Sequence, residues 1–111
     1  MLFSSTVVGE WGLPPTIGQS VPVLRSTNIT SDGRLNLQDV VYRHVPPERL
    51  QSRWIRAGNI LVEKSGGGPQ QPAGRVAYCE HDIGGTSSNF IEIVRVDEKY
   101  DSKFVFYLLH Y

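Results

Sequence analysis

The sequence predicts one α/β domain of the α+β kind, with a curved mixed β-sheet, a few short helices and long loops. The chain has 111 residues, which is the length of a single domain. Short apolar runs recur along it, separated by segments that contain most of its 11 glycines and 7 prolines. Such runs predict buried strands, and the turn residues between them predict loops. We therefore treat residues 1–111 as one domain.

The apolar runs place five strands, because each is short and bounded by turn residues. They cover residues 21–25, 40–42, 60–62, 76–79 and 90–96. Residues 1–21 and 80–88 are predicted to be loops. The first of these segments is interrupted by Gly9, Gly12, Pro14, Pro15 and Gly18. Trp11 is interpreted as the packed anchor of that segment, with base stacking as the less favoured alternative.

Two segments have helical features. Residues 48–54 follow two prolines and begin with Glu48, which suits the positive end of a helix dipole. Leu50 and Trp54 would then share one buried face. Residues 99–111 are ambiguous, because their aromatic residues fit both a helical stripe and a strand. The helical stripe consists of Phe104, Tyr107, Leu108 and Tyr111.

The charge distribution is uneven although the formal net charge is zero. Residues 25–75 carry eight cations, seven of them arginine, against four anions. Residues 76–111 carry three cations against six anions. A neutral protein can therefore present a basic face, and arginine suits forked contacts with phosphate or guanine. The alternative is an ordinary solvated surface with ion pairs.

Cysteine content and hydropathy favour a cytoplasmic protein. Cys79 is the single cysteine, which excludes an internal disulfide and fits a reducing compartment. The apolar runs fall short of the roughly 20 residues that cross a bilayer. The first residues lack the basic and apolar regions of a signal peptide. We expect no membrane association.

The sequence offers little support for catalysis. Cys79 and His81 form a Cys-x-His pair without a second ligand pair, so Cys79 is better interpreted as a small buried residue. His44 and His110 have no recognisable partners. Ser65 lies in a glycine-rich loop that matches neither a nucleophile elbow nor a phosphate-binding loop. We expect no catalytic site, no metal and no cofactor.

The most informative stretch is residues 58–79, GNILVEKSGGGPQQPAGRVAYC. Two strands flank a glycine-rich loop that has a cation at each shoulder, Lys64 and Arg75. Gln70 and Gln71 can each donate and accept, which is the geometry that reads adenine. The two cations can reach phosphate or guanine. The structural alternative is that the glycines only shape the turn and that Glu63 pairs with Arg75.

The same stretch resembles the target-recognition domain of the DNA-specificity subunit of type I restriction-modification systems. The resemblance rests on Gly58–Leu61, Glu63–Gly67 and Gly74–Ala77, with Asn59 where the family more often has Asp. Residues 21–29 and 32–35 and the pair Asn89–Phe90 match the same family in chain order. The resemblance implies a fold like that of DNA-methylase specificity domains and favours a helix at residues 99–111.

The resemblance also implies a function: sequence-specific binding of double-stranded DNA at one half of a bipartite target. Proteins similar to this one are not catalytic, and partner subunits carry out methylation and restriction. With the sequence features, this gives a set of candidate DNA contacts. They are Arg25, Ser26, Thr27, Asn28, Lys64, Ser65, Gln70, Gln71 and Arg75.

The chain differs from the family in length, since it carries one recognition domain and no long spacer helix. We therefore expect a unit that is truncated at its C-terminus or encoded separately. The apolar segment 104–111 then predicts self-association, since it needs more cover than the chain provides. The alternative function is a protein–protein assembly module of the same complex that binds no DNA by itself.

Overall fold

The computed structural model describes residues 3–64 and 74–110, and its strands form two sheets. The strands are β1 Phe3–Val8, β2 Val21–Leu24, β3 Val41–Arg43, β4 Ile60–Glu63, β5 Val76–Tyr78, β6 Thr86–Ser87 and β7 Ile91–Val96. The helices are α1 Pro47–Leu50 and α2 Ser102–His110, and short 3₁₀ turns cover Pro15–Ile17 and Ser26–Asn28. The α+β class predicted from the sequence is confirmed.

The sheet arrangement differs from the predicted single mixed sheet. A four-stranded sheet has the order β1-β7-β4-β5, and each neighbouring pair is antiparallel. A three-stranded sheet has the order β3-β2-β6, in which β2 is antiparallel to β3 and parallel to β6. Only the smaller sheet is mixed. The segments that join the strands across the two sheets are long, as expected.

Alternate residues of the larger sheet enter two separate clusters, as the two-residue period of a strand requires. Leu61, Ala77 and Ile93 are fully buried in a cluster that also contains Leu24 of the smaller sheet. Their neighbours form the second cluster, beneath α2. It consists of Ile60, Val76, Val94, Val105 and Phe106. The larger sheet is thus covered on both faces.

Strand β1 corrects the prediction of a loop at residues 1–21. It pairs with β7, and Thr6 lies opposite Val94 while Val8 lies opposite Glu92. The run Thr6, Val7 and Val8 is β-branched and suits a strand. The partner strand lies at the far end of the sequence, so local turn signals alone could not reveal the pairing.

The predicted loop at residues 80–88 also contains a strand. The two residues of β6, Thr86 and Ser87, are fully buried and pair with Val23 and Leu24. Both are polar, so a hydrophobic pattern could not identify them. Cys79, just before this segment, is fully buried, which confirms its interpretation as a small core residue.

Helix α1 is shorter than the predicted helix at residues 48–54. It forms a single turn and ends at Leu50, so Leu50 and Trp54 do not share a helical face. The chain leaves the helix to bury Ile55, whose amide donates to the Gly85 carbonyl at 2.9 Å. Tertiary contacts of the following segment outweigh its local helical preference.

Helix α2 resolves the ambiguity of residues 99–111 in favour of a helix. Asp101 caps it, since its Oδ1 accepts from the amides of Lys103 and Phe104 at 2.8 and 3.2 Å. Val105 and Phe106 are the buried residues, whereas Phe104, Tyr107 and Leu108 point outward. The aromatic stripe is therefore the exposed face; its last member, Tyr111, lies outside the described residues. Within the described ranges, neither helix has the length and apolar character needed to cross a membrane.

Candidate nucleic-acid interface

One of the two predicted contact surfaces is the turn that follows β2. Within it, Asn28 is buried, and its Oδ1 accepts from the Arg25 amide at 2.8 Å. Its Nδ2 donates to the carbonyls of Asn36 and Asp39 at 2.8 and 3.0 Å. The side chain of Asn28 thus holds the turn together from inside. Thr27 is the residue that the turn exposes to solvent.

Arg25 lies half-buried at the start of the same turn. One of its terminal nitrogens donates to the Asp39 carbonyl at 3.1 Å and lies 3.3 Å from the Asp39 carboxylate. Its Nε is buried and has no hydrogen-bond partner among the described residues. The carboxylate of Asp39 is almost fully exposed, so solvent weakens this ion pair. The ion pair is therefore expected to be a weak one.

Arg75 connects the β4–β5 hairpin to this turn. Its guanidinium donates to the carbonyls of Ile29 and Ser26 at 2.7 and 3.0 Å. It also makes a forked contact with the Glu63 carboxylate, at 3.3 and 3.2 Å. The structural alternative raised by the sequence, pairing of Glu63 with Arg75, is confirmed. One side chain thus brings two segments that are far apart in sequence to the same place.

The pKa of Glu63 is held below its ordinary value, mainly by the hydrogen bond from the Arg75 side chain. The Arg75 amide and the Ser26 hydroxyl act in the same direction. Gly74 completes this corner, because a Cβ there would overlap the Glu63 carbonyl oxygen. Glycine at position 74 therefore allows the backbone before Arg75 to approach that of Glu63 closely. This agrees with the structural alternative, in which the glycines of the loop shape the turn.

Lys64 lies at the other shoulder of the hairpin. Its backbone amide donates to the Phe90 carbonyl at 2.8 Å, which places it beside the start of β7. Its side chain is exposed and makes no ion pair with another described residue. Of the predicted cations, Lys64 is thus the one most available for a phosphate.

A cleft of about 340 Å³ lies between the turn and the segment before β7. Its described lining consists of Trp11, Arg25, Ser26, Thr27, Ser88, Asn89 and Phe90. Phe90 is 63% exposed, and the Arg43 guanidinium stacks on Trp11 with 4.3 Å between its carbon and the ring centroid. Two contacts connect the cleft to the predicted cations. The Lys64 amide donates to the Phe90 carbonyl, and the Arg75 guanidinium donates to the Ser26 carbonyl.

The structure thus brings together Arg25, Ser26, Thr27, Lys64 and Arg75. Asn28 belongs to the scaffold beneath them, while Ser65, Gln70 and Gln71 lie outside the described residues. Sequence reasoning did not select Phe90, Asn89 or Arg43 as contacts, and it ranked Trp11 chiefly as a packing residue. The pair Asn89–Phe90, which precedes an alternating strand, was the available sequence signal for these contacts. The other residues of the cleft come from distant segments, so the sequence alone could not place them beside this pair.

Several arginines outside this group serve the scaffold. Arg43 donates to the carbonyls of Trp11 and Gly12 at 2.9 and 3.4 Å. Arg53 donates to the Val8 carbonyl at 3.0 Å, and Arg95 does the same for Trp54 at 3.0 Å. Irregular backbone leaves carbonyls without partners, and a guanidinium can bind several at once. Arg43 and Arg53 therefore give a structural explanation for part of the arginine enrichment in residues 25–75.

The residues considered for catalysis are not brought together. Cys79 is buried, and burial raises the pKa of its thiol to about 12, whereas His81 is exposed. The described part of the chain contains no group of three or more His, Cys, Asp or Glu side chains able to hold a metal. His44 donates from Nδ1 to the Gln19 carbonyl at 2.8 Å, and His110 stacks on Phe106.

Neither a scan against protein-family models nor a search of curated proteins finds a match to this chain.

Proposed function

We propose that this chain is a double-stranded DNA recognition domain of the kind found in type I restriction-modification specificity subunits, and that it binds one half of a bipartite target. The observation that carries the proposal is the convergence of three cations on one cleft. Arg25 belongs to the lining, the Lys64 amide is bonded to the lining residue Phe90, and the Arg75 guanidinium donates to the lining residue Ser26.

Phosphate contact is proposed for Lys64 first and for Arg25 and Arg75 second. Lys64 is exposed and unpaired among the described residues, so binding a phosphate costs it no existing contact. Arg25 and Arg75 each have a carboxylate partner, which a phosphate would have to outcompete or share. Their fixed geometry favours positioning of the duplex, since phosphate contacts set register and orientation.

Base reading is proposed for the polar residues at the rim of the cleft. Thr27 and Asn89 are exposed, and their side chains make no hydrogen bond with the other described residues. A hydroxyl and a carboxamide can each donate and accept at base edges. The contacts predicted for Ser65, Gln70 and Gln71 belong to the same proposal and remain predictions.

The domain is proposed to act without catalysis and without a cofactor. In this proposal, methylation and cleavage belong to the modification and restriction subunits that such a domain would direct to DNA. The high pKa and burial of Cys79 support this assignment, because a thiol in that state is a poor nucleophile.

The test is fluorescence anisotropy on duplex DNA with a randomised site, across a salt series. Wild-type binding should weaken steeply as salt rises, because phosphate contacts release counterions. Lys64→Glu should lower the slope of log K against log salt by about 1, the expected loss of one phosphate contact. The matched control is Lys99→Glu, the same charge change at an exposed residue that makes no contact with the cleft.

Equal losses in Lys64→Glu and Lys99→Glu would mean that overall charge, and not this surface, determines binding. Absence of wild-type binding at low salt would contradict independent DNA recognition. Selection of bound sequences from the random pool would then test specificity, because a purely electrostatic surface enriches no site.

A second candidate function is a protein–protein assembly module, and the exposed face of α2 favours it. Phe104, Tyr107 and Leu108 are each about half exposed on one side of that helix. An assembly module would keep its partner after Lys64→Glu and lose it after charge is introduced at Phe104. Binding of purified methyltransferase subunit to the two variants distinguishes the candidates.

A further inference from the structure

The cleft between the β2 turn and the start of β7 has an aromatic character that duplex contacts alone do not require. Phe90 presents 63% of its surface to solvent at one side. Trp11 forms another part of the wall, and Arg43 stacks on its ring. An exposed aromatic ring beside another aromatic residue and a guanidinium is the arrangement on which nucleic-acid bases stack.

The rim of the cleft is polar at the positions that would meet the edge of a base. Thr27 stands on the side of the turn, and Asn89 stands on the side of β7. Ser88 is less available, because its hydroxyl accepts from the Phe90 amide at 3.3 Å. Donors and acceptors at the rim with apolar walls inside suit a flat heteroaromatic ring better than an aliphatic group.

The charges around the cleft identify its occupant as part of a polyanion. Arg25 belongs to the lining, Arg43 covers Trp11, and the Lys64 amide is bonded to the Phe90 carbonyl. Two carboxylates lie beside this group: Asp39 pairs with Arg25, and Glu63 pairs with Arg75 and accepts from the Ser26 hydroxyl. A base that carries its own flanking phosphates satisfies both the aromatic wall and the cations.

We propose that this cleft binds one unpaired DNA base, stacked against Phe90, with Thr27 and Asn89 at its edge. The proposal rests on the DNA-binding function proposed above. In an intact duplex both faces of each base are covered, so only a base that has left the stack can enter. Leaving the stack costs a few kcal/mol, and the cost is least for a base that is already mismatched or bulged.

The test compares three duplexes of equal length with randomised flanks, by fluorescence anisotropy at one fixed salt concentration. The first is fully paired, the second carries a one-nucleotide bulge with each of the four bases in turn, and the third carries an abasic bulge. The abasic bulge bends the backbone in the same way but offers no ring to stack. Wild-type protein should bind the base bulge roughly 5- to 150-fold more tightly than the abasic bulge, the range expected of one stacked base.

Phe90→Ala should abolish this preference, and because its side chain is exposed the substitution should leave the fold intact. The control is the same substitution at another exposed phenylalanine. Phe104→Ala is that control, since Phe104 is 58% exposed and lies on α2, away from the cleft lining. It should keep the preference in full. Asn89→Ala should instead change which of the four bulged bases binds best.

Equal binding of the base bulge and the abasic bulge would overturn the inference, as would a preference that survives Phe90→Ala. These outcomes are separable from failure of the proposed function. Salt-dependent binding of the fully paired duplex with no base preference removes the cleft inference alone. No binding of any duplex at low salt removes both.

Discussion

Two phenylalanines, Phe90 and Phe104, are exposed to nearly the same extent, but their surroundings differ. Phe90 directly precedes β7 and has Lys64, Arg25 and polar turn residues around it. Phe104 lies on the helix that follows β7, where Tyr107 and Leu108 extend an apolar face. Exposure alone therefore does not identify a partner. The cations near Phe90 favour a polyanion as its partner. The exposed residues beside Phe104 on α2, Tyr107 and Leu108, carry no charge at neutral pH, which favours an apolar partner surface there.

The two regions also differ in how they are held. The cleft is built from irregular segments connected by side chains, above all by Arg75, which joins the β4–β5 hairpin to the β2 turn. Helix α2 is held by packing of Val105 and Phe106 over the larger sheet. Gly33 allows this packing, because it has a φ of 86° and a Cβ there would collide with the Phe106 ring. One region depends on polar contacts, the other on apolar area.

The largest effect is expected at the buried side of α2. Phe106→Ala should lower the free energy of unfolding by about 3–5 kcal/mol, because it removes a buried ring and leaves a cavity. Phe104→Ala, two residues earlier and exposed, should change it by less than about 0.5 kcal/mol. Urea unfolding of both variants measures the difference. Similar losses in the two variants would contradict the assignment of the exposed and buried faces.

A smaller effect is expected on self-association through the exposed face of α2. Phe104 and Leu108 are four residues apart and lie on one side of the helix. The double variant Phe104→Glu, Leu108→Glu should weaken association by at least about tenfold, the equivalent of 1.4 kcal/mol. Sedimentation across a concentration series measures it, and Phe90→Glu is the matched control that should associate like the wild type. A wild-type protein that stays monomeric at high concentration would contradict the prediction.

Local patterns predicted the elements whose signals lie within the element. Strands β2, β3, β4, β5 and β7 have apolar runs bounded by turn residues, and their positions agree with the prediction to within one or two residues. Strand β6 could not be predicted, since Thr86 and Ser87 are polar and are strands only because Val23 and Leu24 pair with them. Likewise β1 depends on a partner strand at the far end of the chain.

The residues of the candidate site could be predicted where they lie beside a recognisable sequence feature. Lys64 and Arg75 flank a recognisable glycine-rich loop, and Arg25 follows a recognisable strand. The role of Asn28 was not predictable, because its polarity suggested exposure, whereas the turn folds around its carboxamide. The contribution of Phe90 was not predictable either, since its exposure and its position beside Lys64 arise from the tertiary fold.

The smallest effect is expected from the ion pair that connects the hairpin to the turn. Because the pKa of Glu63 is lowered in the folded state, its carboxylate stabilises the fold above the pKa of the unfolded chain. This stabilisation is lost as the pH falls through the lowered pKa. Glu63→Gln should therefore cost less than about 1 kcal/mol at neutral pH, since the partner Arg75 is partly exposed. As the pH falls below the pKa of an unfolded glutamate, about 4.3, wild type and variant should approach equal stability.

Urea unfolding at several pH values between 3 and 7 measures this difference. Glu98→Gln is the matched control, because Glu98 is exposed and has no ion pair with another described residue. It should follow the wild-type curve at every pH. A gap between wild type and Glu63→Gln that stays constant with pH would show that the carboxamide disturbs packing and that the Arg75 contact contributes no charge-dependent stability. The connection between hairpin and turn would then rest on the carbonyl contacts of Arg75 alone.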